Sequence, residues 1–353
     1  MKKIFLLVYL ACVPYYGFCQ IPSYYTSVDF TQTGESLRTQ LTTLITSTHT
    51  TLLPYTSSST DTWDAIKASD LCPASPEDVM LIYGSNDTDS ETKNDRLRDK
   101  DLSCHSSSCI GLWNREHVFA KSLATPTLET NYPGTGTDAH NLRAADSQMN
   151  SSRSNRTFAA GTGVSYITSG SHFYPGDEWK GDVARILMYM YVRYPSQCLP
   201  ENVGTGTANY APLGDMLDLF LDWNAEDPVS EYEQNRNAVF ENMQGNRNPF
   251  IDNPQLATRI WNGPATTDAW GVLEVPHETI ENIHIYPRVT SGIIYVTGAE
   301  DKQCTVEVYS VLGQEVKNEI TEDKVDLSAL KPGLYIVRLS CDNVMKTVKI
   351  IKN

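Results

Sequence analysis

The segment Trp113-Asn114-Arg115-Glu116-His117-Val118-Phe119 sets a carboxylate beside an imidazole. Two further segments follow it closely, Asp138-Ala139-His140-Asn141-Leu142-Arg143 and Asn150-Ser151-Ser152-Arg153-Ser154-Asn155-Arg156. Together they offer a base, hard oxygen donors and guanidinium groups. Hydrolysis of a phosphodiester needs such a set: a base to activate water, a hard cation to stabilise charge on oxygen, and a clamp for the phosphate. Histidine suits the base, since its unperturbed pKa of about 6.5 lies near neutral pH. Carboxylate and amide oxygens suit a magnesium ion that keeps several of its waters. Arginine's planar fork suits phosphate.

These side chains converge only under a geometric condition. In a regular strand Glu116 and His117 face opposite ways, so a strand through 113–119 has to end or bulge beside them. Asn150 and Arg153, three apart, share a face of a short helix opening near Asp146 or Ser147. The expected frame is a strand pair followed by a helix across the cation. Around it, Leu37, Leu41, Leu44 and Ile45 have helical spacing, as do Val183, Ile186, Leu187 and Met190 within 181–193. A further stripe runs through Leu213, Met216, Leu217, Phe220 and Leu221. Ser230 with Glu233 forms a capping box for a helix that should stop near Gly245. After about residue 272 the pattern shifts to short strands, at 283–286, 293–296, 305–309, 334–339 and 344–351. Turn residues such as Ser291-Gly292 and Pro332-Gly333 separate them. That pattern predicts a small antiparallel β-sandwich.

Composition bounds the class. With 353 residues, 40% hydrophobic and 20% charged, the chain can build a core in about two domains and is not broadly disordered. No run reaches the roughly 18–20 apolar residues of a membrane span. Lys2 and Lys3, an apolar stretch from Ile4 to Val13, and Gly17-Phe18-Cys19 before Gln20 have the layout of a cleaved secretory signal over 1–19. Leu10-Ala11-Cys12 hints at a lipoprotein box, against which Tyr9 stands where an aliphatic residue is usual. The six remaining cysteines, an even count in an exported chain, favour disulfides. Cys304 and Cys341 share the C-terminal domain, and Cys104 and Cys109 are near enough to close a small loop, which leaves Cys72 with Cys198. The sequence leaves that connectivity open. No Cys-x-x-Cys occurs, which speaks against structural zinc.

The net charge is −15, and residues 281–353 carry nine Lys/Arg against ten Asp/Glu, so about −14 belongs to the part before them. Within that acidic part, residues 141–160 hold Arg143, Arg153 and Arg156 against Asp146 alone. Such a strip binds phosphate locally without long-range steering, so affinity should be modest and salt-sensitive. Asp87, Asp89 and Glu91 lie in a charged stretch that lacks the glycine of an EF-hand loop and reads as solvated. His140 either orients a neighbouring group or anchors its turn. Arg185 and Arg247 read as ion-pair partners, and Trp113 and Trp223 as core.

The three segments resemble the endonuclease I family of secreted or periplasmic nucleases, which carry a His-Me finger (ββα-metal) site. The resemblance continues through Lys180-Gly181-Asp182-Val183-Ala184-Arg185, Asp227-Pro228-Val229, Glu233, Arg236-Asn237 and Gln244-Gly245-Asn246-Arg247-Asn248-Pro249-Phe250, and covers roughly 65–262. It implies that His117 is the general base and that Glu116 and Asn150 hold one Mg²⁺, with Mn²⁺ or Ca²⁺ as substitutes. It implies a phosphate-clamping arginine, for which Arg143, Arg153 and Arg156 are the candidates. Phe119-Ala120 stands where many relatives have Trp-Pro. A second resemblance, to the C-terminal sorting domain of type IX secretion, rests on His284-Ile285-Tyr286-Pro287, Thr290-Ser291-Gly292, Val308 through Gln314 and Leu330-Lys331-Pro332-Gly333-Leu334-Tyr335; Arg288-Val289 replaces its usual Asn-Pro.

The resulting expectation is an α+β protein: signal 1–19, a mainly helical nuclease domain with a ββα-metal core over 20–272, a linker over 273–283, and a sorting β-sandwich over 284–353. It should be a secreted or cell-surface monomer without a transmembrane segment. It should cleave DNA, and RNA as a second substrate class, with little sequence preference and with 5′-phosphate products, and it should engage the type IX machinery. The rivals are a ribonuclease or other phosphodiesterase on the same site, and a non-enzymatic surface-binding protein on a decayed nuclease fold.

Overall fold

A computed structural model describes residues 21–106, 109–271, 273, 284–297, 304–311, 314–321, 323–341 and 344–353. The expected signal and nearly all of the expected linker lie outside the described residues. The chain divides into two compact units, Met1–Leu273 and Glu274–Asn353.

The first unit is mixed α+β. Its helices are α1 (Gly34–Thr48), α2 (Thr62–Ser69), α3 (Ser147–Arg153), α4 (Lys180–Arg193), α5 (Asp218–Glu226), α6 (Glu231–Gln244), α7 (Pro249–Asp252) and α8 (Gln255–Trp261). Its strands are short: β1 (Leu71–Cys72), β2 (Ser75–Met80) and β3 (Leu97–Asp99) form one sheet. β4 (Trp113–His117) pairs with β5 (Leu142–Asp146). β6 (Thr157–Phe158), β7 (Tyr166–Ser169) and β8 (His172–Tyr174) form a third sheet. No helix among the described residues is long and apolar enough to cross a membrane.

Local sequence explains most of these elements. Leu37, Leu41, Leu44 and Ile45 are the buried stripe of α1, each such side chain contributing about 1.5–3 kcal/mol on full burial. α4 is buried from Gly181 to Val192 and forms the central helix of the unit. Ser230 and Glu233 cap α6 reciprocally. Gly245 ends it in the left-handed region at φ +93°, where a side chain would also strike the Thr48 carbonyl. The expected helix from Leu213 is shorter than its apolar stripe. α5 starts at Asp218, and Leu213 is exposed; Gly214 at φ +64° turns the chain before the helix begins. Asp87 accepts hydrogen bonds from the backbone N–H groups of Arg96 (2.7 Å) and Leu97 (2.9 Å), so the acidic stretch ties its own loop.

Cys104 and Cys109 are disulfide-bonded. Cys72 and Cys198 are not joined. Both are free and buried, one ending β1 and the other in the turn after α4.

The second unit is β-rich. Its strands are β9 (His284–Tyr286), β10 (Val289–Thr290), β11 (Ile293–Thr297), β12 (Cys304–Ser310), β13 (Glu315–Thr321), β14 (Lys324–Asp326), β15 (Gly333–Cys341) and β16 (Val344–Lys352). They form a five-stranded sheet, β10-β16-β15-β12-β13, and a three-stranded sheet, β14-β11-β9. Alternate residues from both, such as Ile294, Val296, Val306, Val308 and Val337, share one core. The sequence pattern predicts an antiparallel arrangement, and one edge departs from it. β10 runs parallel to β16, because the strand that opens the sheet lies beside the last strand of the chain. β13 gave no apolar signal because it is an edge strand carrying Glu315, Lys317 and Glu319, and such charges blunt edge-to-edge pairing. Cys304 faces Cys341 in the backbone register of β12 and β15.

Candidate active site

β4 runs antiparallel to β5, with Glu116 opposite Arg143 and His117 opposite Leu142. β4 ends at His117. Strand alternation therefore does not separate Glu116 from His117, and both border one cavity of about 360 Å³. α3 begins directly after β5. Asp146 caps it, its Oδ1 accepting from the N–H groups of Gln148 (2.8 Å) and Met149 (3.0 Å). Asn150 and Arg153 then reach the same cavity from the helix.

His117 is buried and held at one nitrogen. Its Nε2–H donates to the Gly136 carbonyl at 2.8 Å. Because a carbonyl only accepts, the proton sits on Nε2 and the lone pair on Nδ1. Burial lowers the imidazole to about 3, with the Gly136 bond opposing and Lys121, Arg115 and Arg153 reinforcing the shift. The ring is thus neutral near neutral pH, with its lone pair on Nδ1. The Tyr55 ring lies 5.6 Å away at 31° and supports its face. The Arg115 guanidinium is sandwiched in turn between Tyr55 (3.5 Å) and Trp63 (3.9 Å).

Gly136 is fixed from behind. The Asp138 carboxylate, fully buried, accepts from the Tyr189 and Tyr194 hydroxyls (2.8 and 2.9 Å) and from Gln244 Nε2 and the His140 N–H (both 3.1 Å). Two of these donors come from α4 and its C-cap and one from the end of α6. His140 donates Nε2–H to the Asn246 carbonyl (3.3 Å) and packs on Tyr189, which makes it an anchor of this turn.

Glu116 is tied by one oxygen. Oε1 accepts from Tyr83 Oη (3.0 Å) and lies 3.2 Å from Arg153 Nη1. Tyr83 adopts φ +74°, uncommon for a bulky residue, and such strain concentrates at functional sites. Burial raises the carboxyl to about 7, against the pull of Arg153 and Tyr83. Oε2 has no hydrogen-bond partner among the described residues. Asn150 donates Nδ2 to Asn114 Oδ1 (2.7 Å), which turns its own Oδ1 into a spare acceptor. Two unengaged oxygens on one cavity, one of them from a carboxyl, fit a small hard cation that retains waters.

The three candidate arginines separate. Arg153 borders the cavity, but its Nη groups donate to the carbonyls of His117 (3.1 Å) and Val118 (2.7 Å). Arg143 is fully buried away from the cavity, bound to Asp182 (2.6 Å), Tyr232 (2.9 Å) and Asp70 (3.4 Å). It is a member of the core charge network and does not reach a substrate. Arg156 donates to the Gly170 and Ser152 carbonyls and lies outside the cavity wall. Sequence reading missed Arg115, Lys121, Tyr55 and the Gly136 carbonyl. Arg115 stood in plain view beside Glu116. Arg185 pairs with Glu233 in two bonds (2.6 and 2.8 Å), and Arg247 pairs with Asp252 and Glu241, both as ion-pair partners. Trp113 and Trp223 are core.

Comparison with known proteins gives the chain's family. The endonuclease I family matches residues 33–255, and the secretion system C-terminal sorting domain matches residues 284–353. An extracellular ribonuclease of Bacillus subtilis (strain 168) is 40% identical over 243 residues, covering 65% of this chain and 75% of its own length. An extracellular ribonuclease of Bacillus amyloliquefaciens matches with the same identity and coverage.

Proposed function

From its membership of the endonuclease I family, we infer that this chain, a secreted or cell-surface nuclease delivered by type IX secretion through its sorting domain, is a metal-dependent endonuclease with little sequence preference. Its substrates on this reading are DNA and RNA, and its products carry 5′-phosphates. The observation that carries the reading is the meeting of Glu116, His117 and Asn150 on one cavity, with His117 held as the Nε2–H tautomer. The β4–β5–α3 unit serves as the His-Me finger, and the C-terminal unit as a sorting β-sandwich.

In this mechanism His117 Nδ1 takes a proton from the water that attacks phosphorus, and the Gly136 carbonyl stabilises the imidazolium that results. Glu116 Oε2 and Asn150 Oδ1 would hold the cation, which supplies charge stabilisation to the phosphoryl and leaving oxygens when bound. Arg153 opposes the burial that raises the Glu116 carboxyl and braces the end of β4 through the His117 and Val118 carbonyls.

The test is cleavage of supercoiled plasmid and of a long RNA, each with Mg²⁺ and with excess EDTA after metal stripping. Both substrates should be cut with Mg²⁺ and spared with EDTA. Undiminished cutting in EDTA would refute the metal requirement. The name of the two Bacillus relatives favours a second reading, a ribonuclease on the same site; RNA cleaved and plasmid left intact would establish it.

A further inference from the structure

We propose that Lys121, with Ser122 and Asn155 beside it, is the subsite that binds a backbone phosphate of the nucleic-acid strand, the clamp that the three sequence-derived arginines do not supply. The proposal rests on the nuclease reading of the cavity and adds the residue that grips the strand.

Besides Arg156, which lies outside the cavity wall on the Gly170 and Ser152 carbonyls, four cations bear on the question, and the structure separates them by what their donors already do. Arg143 is sealed in the core. Arg153 spends its Nη groups on two strand-end carbonyls and on Glu116. Arg115 spends its Nη groups on the Tyr55 carbonyl and the hydroxyls of Thr62 (2.7 Å) and Thr56 (3.2 Å). Lys121 borders the same cavity, is half-buried, and has no carboxylate or hydrogen-bond partner for its ammonium among the described residues. A free ammonium on the wall of a cavity is a point charge suited to a phosphodiester oxygen.

The surroundings of Lys121 are built. Its backbone is fixed, since its carbonyl accepts from the N–H groups of Leu128 (3.2 Å) and Ala124 (3.4 Å). Across the mouth, Asn155 donates Nδ2 to Ser122 Oγ at 3.3 Å and so joins the two rims. Asn155 reaches that place because Ser154, which ends α3, adopts φ +53° and ψ −125°, an uncommon conformation for a residue with a side chain. Its N–H still closes the helix on the Asn150 carbonyl at 2.8 Å. Strain is thus held where the wall turns toward Lys121. Lys121, Ser122, Ser154 and Asn155 bring donors and one positive charge to this side of the cavity, and no carboxylate.

The test reads binding apart from turnover. A fluorescein-labelled single-stranded oligonucleotide of about twelve nucleotides, held uncut in EDTA, is titrated with wild type, Lys121→Ala and Lys121→Arg across a NaCl series. Lys121→Ala should weaken binding about tenfold at low salt, as for one charged hydrogen bond. It should also flatten the log–log salt slope by about 0.7, one phosphate contact on a single strand. Lys121→Arg should keep most of both. With Mg²⁺ restored, KM in Lys121→Ala should rise by about the same tenfold factor. Equal affinity and slope in wild type and Lys121→Ala would overturn the proposal, as would a large loss of kcat with binding unchanged. Wild type that binds without cutting would refute the nuclease reading and leave the phosphate subsite standing.

Discussion

Replacing His117 with Gly should slow cleavage by about 10²–10⁴-fold, the range of a lost general base, while leaving cation binding close to wild type. The imidazole is enclosed by the Tyr55 ring and the Gly136 carbonyl. Its removal vacates a ring-shaped space that still presents one hydrogen-bond acceptor. Added imidazole should enter that space and restore part of the activity. Replacing the neighbouring Glu116 with Ala removes an anionic oxygen from the cation site instead. That variant should need more Mg²⁺ and gain nothing from imidazole. Titrations of both variants with metal and with imidazole, on one substrate, decide the matter. Rescue of Glu116→Ala by imidazole, or loss of metal binding in His117→Gly, would reverse the two roles.

The second large effect is on stability. Asp70 is fully buried, and its two oxygens serve Arg143, Arg236, the Ser69 hydroxyl (2.7 Å) and the Ala144 N–H (2.8 Å). Asp70→Ala strands two buried guanidinium groups. Arg143 keeps Asp182, whereas Arg236 keeps only neutral partners such as the Leu142 carbonyl (2.6 Å). Breaking a buried pair by removing one partner costs about 3–5 kcal/mol, a large share of the roughly 5–15 kcal/mol that holds a folded domain. The midpoint of thermal unfolding should fall by roughly 10 °C. Since Ala144 lies in β5, the strand that pairs with β4, activity should be lost well below that midpoint in the variant. A fall of less than about 1 kcal/mol in urea unfolding would show that the arginines find other partners.

Sequence and structure agree where the signal is local. Ser230, Glu233 and Gly245 mark the ends of α6 within a few residues of chain, and Asp146 caps α3 where the spacing of Asn150 and Arg153 needs a helix. The Glu116-His117 pair stood out because carboxylate and imidazole sit side by side, and β4 ends at His117 as the geometric condition requires. Arg143 misled for a physical reason. β5 is buried at every position, so alternation distinguished no outer face, and its partners Asp182, Asp70 and Tyr232 come from distant parts of the chain. The Gly136 carbonyl was invisible because every residue carries one. What singles out Gly136 is that a side chain there would collide with the Glu129 backbone, a contact that no motif records. Cys72 and Cys198 were paired by remainder, and arithmetic on cysteines carries no information about distance.

The carbonyl that fixes His117 belongs to a turn pinned by Asp138 to Tyr189, Tyr194 and Gln244, which lie 51 to 106 residues further along the chain. A chain extended only through β4, or even through α3, therefore carries Glu116, His117 and Asn150 without the residues that pin the turn of Gly136. The turn that holds the His117 ring is thus completed late in chain order, by residues on the far side of the domain.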